Sequence, residues 1–147
     1  MNVLFATDGT PPSLNAIRSG MKLLPLGQAR IHVVAVANPL GTLPAYEGMA
    51  AGAILISDKL EQAARANLTA AQAVFVAAGF QPTAEELEGD PAAAILDAAR
   101  RFGADIIVVG SHDKGALERF FVGSVSDQVN HRFPGAVLIV HPAPGEE

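Results

Sequence analysis

The chain has 147 residues, half of them hydrophobic, 17% charged and none of them cysteine, with a formal net charge of −5. That length suits one domain of roughly 100–200 residues, and the lack of cysteine excludes disulfides, thiol nucleophiles and Cys-ligated zinc. An acidic balance with scattered Lys and Arg argues against a nucleic-acid partner, which needs a basic face, and no apolar run approaches the roughly 18 residues of a membrane span.

Val3 to Ala6 is a short apolar run ended by Thr7, Asp8 and Gly9, and two prolines precede the next periodic stretch. That succession is a strand, a turn and a helix start. Leu14, Ile17, Met21 and Leu24 keep helical spacing until Pro25 and Gly27 close the helix. Ile31 to Val36 reads as a second strand, β-branched and nearly continuous, as expected where both faces are covered. Asn38 to Gly52 is rich in Pro, Gly and small residues without a clean period, which predicts a long loop of the kind that is functional or disordered in compact domains.

A helix is expected from about Ala53 to Ala78, with Leu60, Ala64, Leu68, Ala71 and Phe75 on one stripe and Gly79 as its stop. Thr83 to Glu88 alternates poorly and is rich in glutamate, which fits a strand at a sheet edge. Gly89, Asp90 and Pro91 supply a turn, an N-cap and a first-turn proline for an Ala-rich helix ending near Gly103. Asp105 to Val109 is the clearest buried strand. A short last helix is expected over Ser124 to Arg132 and a fifth strand over Ala136 to Val140.

Strands alternating with helices predict an α/β fold, a doubly wound five-stranded parallel sheet with helices on both faces. Ligands in such sheets sit outside the carboxyl ends of the strands, where strand order reverses. Asp8, Val36 to Asn38, Gly89 and Gly110 should therefore gather at one end of the molecule. With no repeat, linker or second core, the whole of 1–147 reads as one domain. The N-terminus enters a strand directly, without a basic leader, which points to the cytoplasm.

The sharpest segment is Val108-Val109-Gly110-Ser111-His112-Asp113-Lys114-Gly115, followed after seven residues by Gly123-Ser124-Val125-Ser126. A strand stops at a glycine, the backbone passes a second glycine, and a helix begins with Gly-Ser. Ser124 is a natural N-cap, and the free N–H groups of the turn after it form an anion site favoured by the helix dipole.

This segment resembles the phosphate loop of the universal stress protein family, whose pattern is G-x2-G-x9-G-[ST] after strand four. Gly110, Gly123 and Ser124 fall on its first glycine, last glycine and hydroxyl. The likeness extends along the chain through Ala-Thr-Asp-Gly at 6–9, Val33 to Val36 ending in Asn38-Pro39, Gly89-Asp90-Pro91, Ala104 to Gly110 and Pro134 to His141. The resemblance implies a Rossmann-like sheet of order 3-2-1-4-5 and an adenine nucleotide ligand, ATP or AMP, with Mg²⁺ or Mn²⁺ as a candidate companion. It implies that Ala6 and Asp8 lie against the nucleotide at the end of strand one and that the backbone of Val36 reads the adenine. It further implies that Val109 and Gly110 line the pocket near the ribose, and that Gly123, Ser124, Val125 and Ser126 hold the phosphates. It also implies a homodimer paired through strand five and a regulatory rather than enzymatic role.

Asp113 departs from the pattern, standing where the family has its second glycine. Aspartate tolerates left-handed φ better than most residues, so the loop shape can persist. A carboxylate about 4 Å from a phosphate oxygen, however, costs roughly 1 to 4 kcal/mol depending on effective dielectric. A divalent metal shared with the phosphates, or Lys114 turned inward, would offset it.

Each residue also has a plainer reading. Asp8 would cap the first helix or hold the Asp-Gly turn, and Gly110 and Gly123 would mark ordinary turns. Ser111 and His112 are adjacent on an extended loop and so point apart, which does not suit a nucleophile and its base. His32 reads as a strand residue exposed at one end, His131 and His141 as surface or interface residues near the last strand, and the glutamates at 85, 86 and 88 as a charged edge. Lys114, Glu118 and Arg119 read as a solvated face tucked down by Phe120 and Phe121. Two other functions stay open: a dimeric interaction module that binds no nucleotide, and a slow ATP hydrolase drawing on Asp8, His112 or Asp113. A receiver domain is disfavoured because only one acidic residue follows strand one.

Overall fold

The computed structural model describes residues 1–37, 50–111 and 125–141, with residues 50–57 as helical backbone alone. The elements are β1 (Asn2–Ala6), α1 (Pro11–Leu23), a 3-10 turn (Leu26–Gln28), β2 (Arg30–Ala37), α2 (Ala50–Ala77), β3 (Thr83–Glu88), α3 (Pro91–Phe102) and β4 (Ile106–Gly110). They continue with α4 (residues 125–132) and β5 (Ala136–Val140). The five strands form one parallel sheet in the order β3-β2-β1-β4-β5, as the resemblance implies.

Alternation along the central strands builds two cores. Val3, Phe5, Val33 and Val108 face α1 and α2, where Ile17, Ala64, Leu68, Ala71 and Phe75 meet them. Leu4, Val34, Ile107 and Val109 face the other way, toward Ala92, Ile95 and Ala98 of α3 and Val129 of α4. Phe5 and Phe75 are fully buried and meet edge to face with ring centroids 4.9 Å apart, so removing either ring costs about 3–5 kcal/mol. Small helix residues allow this closeness: a β-carbon on Gly20 would lie 2.8 Å from the Phe5 ring.

Helix boundaries follow their local chemistry. Thr10 is the N-cap of α1, with Pro11 and Pro12 in the first turn, and Asp90 caps α3 by accepting from Ala93 N at 2.9 Å. Gly103 closes α3 with φ 70°, a left-handed conformation that glycine adopts without steric cost.

The structure corrects several expectations. α2 begins at Ala50 rather than Ala53, so Gly52 is helical, and the rest of the anticipated loop, 38–49, lies outside the described residues. β4 runs one residue later than expected and takes Gly110 into the strand. His32 is buried, not exposed. Its ring stacks on Phe102 with centroids 4.9 Å apart, and register sets it beside Thr83.

Glu85 and Glu86 of the charged β3 edge are held by partners, whereas Glu88 is exposed. The Thr83 hydroxyl donates to Ile31 O, and His32 Nδ1 lies 2.6 Å from that hydroxyl oxygen. His32 Nε2 lies 3.0 Å from Glu85 Oε2, Arg101 holds the other Glu85 oxygen at 2.9 Å, and Arg65 bonds Glu86 at 3.1 Å. Partial burial pushes the Glu85 carboxyl up, but the bonds from His32 and Arg101 outweigh it and hold it below the ordinary carboxylate value.

Candidate functional site

Every strand points the same way, so all five carboxyl ends share one end of the sheet. The chain leaves β1 toward β2 on one side and returns to β4 on the other, and outside the ends of β1 and β4 lies the switch point where sheets of this kind have their crevice. Ala6 ends β1 and Gly110 ends β4. Val36 stands one residue before the end of β2 and Val109 one before the end of β4.

The turn after β1 is held by a compact polar network. Thr7 is buried and its backbone N–H extends the ladder to Val34 O at 2.9 Å. Its hydroxyl and that of Ser13 are hydrogen-bonded at 2.8 Å, Asp8 N donates to Ser13 Oγ at 3.2 Å, and Gly9 N donates to Thr7 Oγ1 at 3.1 Å. Asp8 Oδ1 accepts from Thr10 N at 3.0 Å and from the Thr10 hydroxyl. Asp8 therefore does not cap α1 itself: it steadies Thr10, whose hydroxyl accepts from Ser13 N at 3.3 Å. The carboxylate is exposed at the crevice, ahead of a helix whose first turn carries no acidic residue.

α4 runs back from the carboxyl end to the start of β5, so its first residues belong to the same end. Val125 is half-buried against the Leu4 and Ile107 core, and Ser126 is buried. Structure thus brings Ala6, Asp8, Val36, Val109, Gly110, Val125 and Ser126 to one end of the sheet. Asp113, Gly123 and Ser124 lie outside the described residues, as do His112, Lys114, Glu118, Arg119, Phe120 and Phe121.

Sequence reasoning missed Thr7, Ser13 and Asn67. Thr10 and Ser13 carry a legible sign, a hydroxyl three residues ahead of another at a helix start. Asn67 is a polar residue bordering the buried stripe of Ala64, Leu68 and Ala71.

Two other features lie outside the β1 and β4 ends. The carboxylates of Glu61, Glu86 and Glu88 converge within 4.8 Å, but Arg65 already pairs with Glu61 at 3.7 Å and Glu86 at 3.1 Å. A groove of about 550 Å³ at the opposite end of the sheet is lined by Leu96, Arg100, Gly103, Asp105, Arg132 and Phe133. There Asp105 accepts from Asn2 N at 2.8 Å, and Arg100 pairs with Asp97. Among the described residues, no helix is long and apolar enough to cross a membrane.

The sequence profile described as the universal stress protein family matches residues 1–141. The chain belongs to the universal stress protein family. Among the relatives, a universal stress protein of Methanocaldococcus jannaschii is 31% identical, over 94% of this chain and 80% of its own length. Another from Thermus aquaticus is 33% identical, over 94% of this chain and 96% of its own. A universal stress protein solved in complex with cAMP superposes with a TM-score of 0.71 at 26% identity, covering 97% of this chain and 98% of that one. That neighbour therefore shares the overall fold of this chain.

Proposed function

We propose that this protein binds an adenine nucleotide, ATP with Mg²⁺ or Mn²⁺ or else AMP, at the carboxyl end of the sheet and acts as a regulatory or sensor protein. The observation that supports it most is the placement of Asp8 after β1 and Gly110 at the end of β4, on either side of the switch-point crevice. A family relative solved with cAMP makes an adenine nucleotide the natural ligand class. The crevice suits it in kind: Ala6, Ala37 and Gly110 are small, and the start of α4 offers backbone N–H groups to phosphate. In this reading Gly123, Ser124, Val125 and Ser126 hold the phosphates, Val36 meets the base, and the role is ligand-dependent partner choice rather than a dedicated reaction. The chain is taken as a single cytoplasmic domain. Calorimetry with ATP and Mg²⁺ should show one site per chain; no heat at millimolar nucleotide would refute it.

Asp113 favours the second reading, an interaction module of the same fold that binds no nucleotide. If its carboxylate repels phosphate, Asp113→Gly tightens ATP binding several-fold, most visibly without metal. Weaker binding in that variant would instead assign Asp113 a metal.

Both readings share a dimer through β5, which is an edge strand of apolar residues. Ala136 N donates to Asp105 O and Ser111 N donates to Val140 O, so residues 136, 138 and 140 direct their backbone groups to β4. By alternation Val137 and Ile139 direct theirs to the open edge, where a second copy can pair under two-fold symmetry. Leu138→Pro would therefore damage the fold itself, whereas Val137→Pro removes a donor from the open edge alone. Light scattering at about 10 μM should give a dimer mass for the wild type and a monomer mass for Val137→Pro.

A further inference from the structure

The side-chain bonds among Thr7, Asp8, Thr10 and Ser13 lie within the β1–α1 turn, and Thr7 N ties the turn to β2 through Val34 O. A further bond ties it to α2. Asn67, fifty-nine residues along the chain on α2, donates from Nδ2 to Asp8 O at 2.9 Å. The same amide lies over the α-carbon of Gly9: a β-carbon there would sit 2.0 Å from Asn67 Oδ1 and 2.2 Å from its Cγ. Gly9 also has φ 76°, a conformation that side-chain-bearing residues adopt at a cost. The seating of the Asn67 amide therefore requires glycine at 9.

The support behind Asn67 is rigid. Its helix is seated by Ala64, Leu68, Ala71 and Phe75, all buried in the core shared with β1, β2 and α1. Asn67 stands at the border of that stripe and reaches the turn from its side. An aliphatic residue in its place would leave the Asp8 carbonyl to water, and a carboxylate would face both that carbonyl and the Asp8 side chain.

The geometry points to Asn67 as a positioning residue of the nucleotide site: it fixes the Asp8–Gly9 peptide from α2, and so the direction in which Asp8 meets the ligand. This inference rests on the nucleotide-binding reading of the same site. It adds a third element to that site, because the turn is then set jointly by β1, α1 and α2.

Two variants test it in the full chain. Asn67→Ala removes the amide, and Asn67→Asp keeps its shape while deleting the donor. Amide exchange without nucleotide reads the turn through Gly9 N–H, bonded to Thr7 Oγ1, and Thr10 N–H, bonded to Asp8 Oδ1. Both should exchange about five-fold faster in each variant, the effect of one lost neutral hydrogen bond, while the amides of Leu4 and Val33 keep their wild-type rates. ATP affinity should fall by about three- to ten-fold in both variants.

Unchanged exchange at Gly9 and Thr10 overturns the inference, and so does faster exchange spread evenly into β1 and β2, which is the mark of a merely structural residue. Looser turn amides with unchanged ATP affinity overturn it as well. If wild-type protein binds no ATP, the nucleotide reading fails by itself, and the positioning role fails with it even where the turn amides respond.

Discussion

The two ends of the sheet carry comparable polar networks arranged for different purposes. At the amino end, His32, Thr83, Glu85 and Arg101 close on one another, Phe102 stacks on the imidazole, and Arg30 lies 5.0 Å over the same phenyl ring. At the carboxyl end, the Thr7–Ser13 network fixes a backbone turn and leaves the Asp8 side chain exposed at a crevice. One network spends its hydrogen bonds joining β2, β3 and α3; the other shapes a surface. The 550 Å³ groove lies at the amino end, where Asp105 bonds Asn2 N and Arg100 pairs with Asp97.

The largest expected effect comes from the amino end. His32→Ala removes two hydrogen bonds and a ring stack from a buried position, and should cost about 3 kcal/mol, or roughly 10 °C in Tm. ATP affinity measured below the melting range should stay within two-fold of wild type. A parallel loss of affinity would break the division between the ends.

Asp8→Ala should behave in the opposite way. Loss of a charged ligand contact should weaken ATP binding about ten- to thirty-fold, while stability falls by no more than about 1 kcal/mol, because the bonds lost to Thr10 are exposed. Paired melts and titrations of Asp8→Ala and His32→Ala thus form a crossed experiment. Equal effects of both variants on both readouts would dissolve the comparison.

How far each end was legible follows from how local its signals are. β3 and β5 start and stop where the residues predict, because Gly89-Asp90-Pro91 and Pro134-Gly135 are local punctuation. The sequence places the start of α2 late because Gly52 reads as a breaker, whereas a helix tolerates one glycine at about 1 kcal/mol. His32 reads as exposed at one end of its strand because its partners Thr83 and Glu85 lie 51 and 53 residues away and become neighbours only through strand register. At the carboxyl end, Ala6, Asp8, Val36, Val109 and Gly110 were legible as strand ends in a parallel sheet. Asn67 was not, since its bond to Asp8 O depends on how α2 is seated.

Acid should loosen the amino end first. The folded Glu85 carboxyl titrates below its ordinary value of 4.5, and Asp97 is lowered too, first by its bond from Arg101. A lowered carboxylate contributes stability that is complete above the unfolded value and is lost as pH falls through the folded one. Denaturant unfolding should therefore show stability declining below about pH 4.5, and Glu85→Gln should flatten that slope. Amides of β3 should exchange sooner than those of β4 in the same window. An unchanged slope in Glu85→Gln would remove Glu85 from this account.

The smallest effect belongs to the groove. Arg100 is exposed and pairs with Asp97 one helical turn away, so Arg100→Ala should change stability by less than about 0.5 kcal/mol and leave ATP binding unaltered. A clear loss of affinity would shift attention to the amino end.

The most direct measurement follows backbone amide resonances of the full chain as ATP and Mg²⁺ are added. The account predicts saturable shifts at Asp8, Gly9, Val36, Gly110, Val125 and Ser126, with Gly103, Ala104, Asp105 and Gly135 unmoved. Shifts confined to that second group, or none anywhere at millimolar nucleotide, would contradict it.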